Sequence, residues 1–212
     1  MRKTMRPTLV AGLTAASTEL PALRPMPPLD APQQLLTVTT HTASAWDHAD
    51  FGRARALGPY PAEVGAQGIG VAREGLSRTP AGTWPLTEAF GIAPNPGTRL
   101  PYRQVTTSDW WVSDAHSPLY NTHYRGVAGP FDETAGENLG AAGPAYAHAV
   151  VIDYNRSPVV PGAGSAFFLH VATGGPTAGC VALAPEDLVA VLRWLDPARN
   201  PVIAITDRPS AC

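Results

Sequence analysis

The chain has 212 residues, a formal net charge of −2, 44% hydrophobic residues and only 15% charged ones. That is enough apolar material for one sizeable core, and it excludes nucleic-acid binding and polybasic attachment to a membrane surface, both of which need a large positive excess. No run of about 18 apolar residues occurs, which excludes a transmembrane helix, and 23 prolines with 20 glycines favour short strands and many turns over long helices.

In chain order, residues 1–17 open with the basic segment Met1-Arg2-Lys3-Thr4-Met5-Arg6 and end on the small residues Ala15-Ala16-Ser17. They fit a short signal peptide or, equally, an unstructured leader. Residues 18–33 carry five prolines and read as an extended linker. A folded domain is predicted over 34–212. Leu35-Leu36-Thr37-Val38-Thr39-Thr40 is rich in β-branched residues and reads as its first strand. Recurrent glycine over 64–71 suggests strands with bulges or tight bends, and 73–82 and 94–97 read as turns. Trp110-Trp111-Val112-Ser113 is a strand, and the polar, glycine-rich stretch 114–143 is predicted to be a surface excursion.

The last third is better organised. Strands are predicted within 147–154, 165–171, 180–183 and 202–205, with glycine- and proline-bearing loops between them. One helix stands out over 185–195. Pro185 suits a first helical position, Glu186 and Asp187 suit the positive end of the dipole, and Leu188, Val191, Leu192 and Leu195 recur at helical spacing. Many strands with one clear helix predict a mainly β fold, a β-rich α+β domain without internal repeat.

His170 and Cys180 carry the candidate chemistry. They lie ten residues apart, each beside a glycine-bearing loop. A free thiol has a pKa of about 8.5 and is mostly protonated at neutral pH. An adjacent imidazole can take its proton to give the nucleophilic thiolate and later protonate a leaving amine. Thr177-Ala178-Gly179 would turn the backbone sharply before Cys180 and aim amides at a developing oxyanion. Against this stands the ordinary reading of a cysteine among Gly, Val and Leu as a small buried hydrophobe, and of a lone histidine as a satisfied core residue. The second cysteine, Cys212, is the last residue, so a Cys180–Cys212 bridge is weakly motivated. His116, His123 and His148 with Asp114 and Asp132 match no compact metal-ligand spacing and read as polar residues at the surface or supporting the site from behind. Trp84, Trp110 and Trp111 read as core more than as a sugar or peptide groove. Asp153-Tyr154-Asn155 ends a strand near the proposed site, as a substrate contact or as a hydrogen-bonded strand-end turn.

At Thr177-Ala178-Gly179-Cys180 and Leu169-His170 the sequence resembles the L,D-transpeptidase (YkuD) catalytic domain, in its secreted bacterial branch. The likeness extends through Arg73-Glu74-Gly75, Arg78-Thr79-Pro80-Ala81-Gly82-Thr83, Ala89-Phe90-Gly91, Tyr120-Asn121, Ile152-Asp153-Tyr154-Asn155 and 158–165, over roughly 35–205. The resemblance implies a YkuD-like β-sandwich. It implies that Cys180 attacks a peptidoglycan stem tetrapeptide, expels D-alanine and forms a thioester, which a second stem's amine converts into a 3→3 cross-link. His170 would be general base and acid, oriented through the backbone carbonyl of Val171, with Gly179 in the oxyanion site and Thr177, Tyr154 and Asn155 contacting substrate. No metal or cofactor is implied, carbapenem-type inhibitors would acylate the thiol, and the protein would be secreted or associated with the cell wall. Two positions depart from the pattern: Ala178 stands where many members have histidine, and Ala182 where many have arginine. Two alternatives stay open, an L,D-carboxypeptidase or amidohydrolase using the same pair, and a non-catalytic wall-binding module.

Overall fold

The computed structural model describes residues 31–49, 52–127 and 129–207. The signal peptide or leader expected over 1–17, nearly all of the linker expected over 18–33, and Cys212 lie outside them. Fourteen strands are described: β1 (Gln34–Val38), β2 (Thr42–Ala49), β3 (Gly52–Glu63), β4 (Ile69–Gly70), β5 (Thr79–Pro80), β6 (Gly82–Gly91), β7 (Tyr102–Gln104), β8 (Asp109–Val112), β9 (His123–Arg125), β10 (Gly136–Asn138), β11 (Ala149–Ile152), β12 (Phe168–Val171), β13 (Val181–Leu183) and β14 (Val202–Ile205). Among the described residues there is one α-helix, α1, which spans Pro185–Trp194. The main sheet runs β11-β12-β13-β3-β2-β1-β14-β6-β7, and β6 pairs with β11 as well as with β14. The pairing therefore closes on itself: two sheets share β3 and β6, which pass from one to the other. The mainly β architecture follows.

Strands β11, β12 and β13 are buried at every position. Their sequences are near-continuous apolar runs, as expected of strands covered on both faces. Leu169, Val171, Val181 and Leu183 face the principal core with Leu188, Val191, Leu192 and Leu195, all buried. Phe168 and Cys180 face a second cluster with Tyr146, Phe90 and Trp111. Helix α1 thus fills one side of the β12–β13 pair and leaves the other to the aromatic cluster, which is where the candidate chemistry lies.

Two sequence expectations are corrected. Over 64–71 only Ile69–Gly70 is a strand, in a two-stranded ladder with Thr79–Pro80; the glycines there serve turns. The stretch 114–143 is an ordered wall as well as a surface feature, because β9 and β10 pair with β8 in a three-stranded sheet. Buried Asp109 pins that sheet, accepting from Thr106 N at 2.8 Å and bonding His123 Nε2 at 2.9 Å. Buried Asn121 ties β8 to the loop between β11 and β12: its Oδ1 accepts from Trp111 Nε1 of β8 (2.9 Å) and from Ala166 N (3.2 Å), and its Nδ2 donates to the carbonyls of Tyr154 (3.1 Å) and Asn155 (2.8 Å). Arg156 adds ion pairs to Glu88 and Asp153 at 2.7 and 2.8 Å and stacks 5.1 Å from the Trp111 ring.

Candidate active site

Strands β12 and β13 are parallel, with Leu169 opposite Val181 and His170 opposite Ala182. Parallel neighbours usually need a crossover of a dozen or more residues. Here residues 172–180 suffice, nine in all, because Gly174, Gly175 and Gly179 take positive φ values of 87°, 159° and 142°. The loop is held from outside by a bridge between Gly65 and Thr177, with Thr177 N donating to Val64 O at 2.9 Å and Ala66 N donating to Thr177 O at 3.0 Å. Glycine is required at 179, since a Cβ there would lie 2.8 Å from Phe167 Cε1 and 3.2 Å from Arg78 O, besides the strain of its φ.

Two hydroxyls then fix the backbone of Cys180. Thr177 Oγ1 donates to its carbonyl at 2.7 Å and accepts from Gly179 N at 3.1 Å. Thr79 Oγ1 donates to the same carbonyl at 3.2 Å and accepts from Gly65 N at 2.8 Å. Side chains alternate along a strand, so Phe168 and His170 share a face, and the register puts Cys180 beside Phe168 on it. The thiol accepts from Phe168 N at 3.3 Å and donates to Ala166 O at 3.4 Å. Burial first, and then the carboxylate of Glu137, push its pKa far above the ordinary range, so the resting group is a thiol.

His170 is 8% exposed, and its Nδ1 bonds Val171 O at 2.9 Å. A carbonyl can only accept, so the proton sits on Nδ1 and Nε2 is left as the basic nitrogen. Burial lowers the imidazole pKa, against which the Val171 bond and the Glu63 charge act. Resting thiol and imidazole are therefore both neutral. The Tyr146 ring meets His170 edge-on at 5.6 Å, and its hydroxyl donates to Glu137 Oε2. Burial raises the pKa of Glu137.

Cys180 and Gly179 line a cleft of about 340 Å³ whose other walls include Arg73, Glu74, Ser113 and Glu137. Glu74 Oε1 accepts from Tyr120 Oη at 2.5 Å and from Ser165 Oγ at 2.6 Å, joining the 73–77 turn to the 114–143 wall. Thr177, Tyr154 and Asn155, also expected from sequence, are not among the residues that line the cleft. Thr177 holds the Cys180 carbonyl. Tyr154 Oη donates to Ala163 O at 2.8 Å, and Asn155 Nδ2 donates to the carbonyls of Val160 and Gly164, both at 2.9 Å. These three side chains are hydrogen-bonded to backbone carbonyls. The Gly179 amide donates to Thr177 Oγ1. Sequence reasoning missed Glu137, Tyr146, Glu63 and Thr79, whose link to the site is purely tertiary. The histidines and aspartates weighed as metal ligands are dispersed: His123 bonds Asp109, His148 Nδ1 bonds Tyr102 Oη at 3.0 Å, and Asp114 accepts from His116 N and Asp132 N. Among the described residues no group of three or more His, Cys, Asp or Glu converges as metal ligands, and no helix is long and apolar enough to cross a membrane.

Comparison with known proteins supplies the family. A family model described as the L,D-transpeptidase catalytic domain (YkuD) matches residues 41–203, about three quarters of the chain. Among solved structures, Bd1075 of Bdellovibrio bacteriovorus aligns at 14% identity with a TM-score of 0.46, over 83% of this chain and 48% of that one. L,D-transpeptidase 3 from Mycobacterium tuberculosis aligns at 14% identity with a TM-score of 0.37, over 82% of this chain and 61% of that one. The chain thus spans between about half and three fifths of these proteins. No curated protein matches.

Proposed function

The chain belongs to the L,D-transpeptidase catalytic-domain family, and we propose that within it the chain is a cysteine acyltransferase acting on peptidoglycan stem peptides outside the cell membrane, secreted or associated with the wall. One observation carries this reading: Cys180, at the wall of a cleft, shares a strand-pair face with His170, whose Nδ1 is tied to Val171 O, which leaves Nε2 as the basic nitrogen.

The reaction follows from that arrangement. When a stem tetrapeptide enters the cleft, the Cys180 proton passes to His170 Nε2 and the thiolate attacks the carbonyl that precedes the terminal D-alanine. The C–S bond forms, the C–N bond breaks, and the imidazolium returns its proton to the departing amine. A second stem's side-chain amine then attacks the thioester. It gives its proton to His170, the C–S bond breaks, and a 3→3 cross-link and the free thiol result. Because burial holds thiol and imidazole neutral at rest, ionisation is coupled to substrate entry, and the thiol must leave its bond to Ala166 O for the imidazole. Carbapenems, as acyl-donor mimics, acylate the same sulfur. The test is intact mass after incubation with a carbapenem: the adduct forms on the native chain and is lost in Cys180→Ala, whereas an unmodified native chain would overturn the assignment of the nucleophile.

A further inference from the structure

Glu63, the last residue of β3, pairs with Ala182 of β13, which itself pairs with His170 of β12. Paired residues on neighbouring strands point to the same face, and two strand spacings of about 4.8 Å separate the His170 and Glu63 backbones by about 10 Å. The residue between them, Ala182, carries a single methyl group, so no bulky side chain stands between the two positions on that face. Glu63 Oε1 accepts from Gly175 N at 3.0 Å, which ties it to the loop that carries Cys180. Its Oε2 is shut off from solvent and has no hydrogen-bond partner. A buried carboxylate oxygen without a donor is costly, and so calls for a functional explanation.

We propose that Glu63 is a positioning residue for His170: its unpaired oxygen is set in advance to stabilise the imidazolium that exists only after Nε2 has taken the Cys180 proton. Transfer of the proton from Sγ to Nε2 leaves a thiolate and an imidazolium, and a negative charge held two strands from the imidazole favours the charged imidazolium over the neutral ring. The other groups around the ring fit this assignment. Val171 O holds Nδ1, the Tyr146 ring lies edge-on, and Glu137 is engaged by the Tyr146 hydroxyl while its charge opposes ionisation of the thiol. Of the two carboxylates, Glu63 acts on the base and Glu137 on the nucleophile. The charge of Glu63 works to raise the imidazole pKa against its burial.

This inference rests on the proposed acyltransferase chemistry, and its test separates the two. Glu63→Gln keeps the shape and the acceptor for Gly175 N but removes the charge; Glu63→Asp keeps the charge. In ¹⁵N-histidine spectra of the folded proteins, Glu63→Gln is expected to lower the His170 pKa by about one unit, a tenfold change in its protonation constant. Carbapenem acylation of Cys180 at neutral pH should slow about tenfold, with Glu63→Asp recovering most of both. An unchanged His170 pKa and acylation rate in folded Glu63→Gln would overturn the inference even if the native chain acylates. A native chain that never acylates, together with a lowered His170 pKa in Glu63→Gln, would overturn the reaction and leave the electrostatic pairing standing. Should Glu63→Gln fail to fold, Glu63→Asp decides the matter: a His170 pKa moved by a full unit despite retained charge would contradict the pairing.

Discussion

The two hydroxyls on the Cys180 carbonyl give a prediction whose magnitude can be worked through. Thr177→Val removes the 2.7 Å bond to that carbonyl and the acceptor of the Gly179 amide. At about 1 kcal/mol net for each bond, the loss is about 2 kcal/mol. Thr79→Val removes the 3.2 Å bond to the same carbonyl and leaves the buried Gly65 amide without its 2.8 Å acceptor, for a similar loss of about 2 kcal/mol. Each single variant keeps one hydroxyl on the carbonyl and the double variant keeps neither, so the double should exceed the sum of the singles by about 1 kcal/mol. Urea unfolding reads this directly. At a slope of about 2 kcal/mol/M each single variant moves the midpoint by about 1 M. Additivity within about 0.4 kcal/mol would mean that the two threonines do not act on a shared group, and the account of how Cys180 is held would fail.

Other consequences are simpler to check. Gly179→Ala forces a Cβ to 2.8 Å from Phe167 at a φ of 142°; it should destabilise by about 1–3 kcal/mol and slow Cys180 acylation, read by thermal melting and mass spectrometry. Asn121→Ala deletes four hydrogen bonds, one to Trp111 of β8 and three to Tyr154, Asn155 and Ala166, at a cost of about 4 kcal/mol by the same count. His170 has a folded pKa below its unfolded value of 6.5. Its contribution to stability is therefore full above pH 6.5 and is lost as pH falls through 6.5 toward the depressed value, because the unfolded chain binds the proton first. His170→Gln should flatten that limb of the urea midpoint measured from pH 5 to 8. Glu137→Gln removes a charge that holds the Cys180 pKa up, so the iodoacetamide pH profile of the thiol should move to lower pH; a profile that does not move would remove Glu137 from the electrostatics of the site.

How much of this was legible beforehand depended on where the determining contacts lie. Helix α1 and strands β11 to β14 were readable because their signals are local: an apolar stripe at helical spacing behind Pro185, and short apolar runs between glycine-bearing loops. The β2–β3 hairpin was missed because Thr42–Ala49 and Gly52–Glu63 are rich in Ala, Arg, Gly and Pro, residues that form strands here because a neighbour pairs with them, not by propensity. Gly58 marks that tertiary control: a Cβ there would meet Ala43 O at 2.8 Å, beside the irregular β2–β3 register at Ala43 to Trp46. In the site, Cys180 and His170 could be named from their motif, and Thr177 was singled out for substrate although its hydroxyl faces backbone. Glu63, Glu137 and Tyr146 carry no local signature, and only the closing of the sheet and the folding of the 114–143 wall bring them to His170 and Cys180.

The central claim is that Cys180 passes an acyl group from a stem peptide to an amine. It is tested most directly by incubating the native chain and Cys180→Ala with a stem tetrapeptide and a D-amino acid or second stem, and reading product masses. The account predicts loss of D-alanine with gain of the acceptor in the native chain and no reaction in the variant. Loss of D-alanine without gain of acceptor would make the enzyme a hydrolase, and exchange that survives in Cys180→Ala would contradict the account outright.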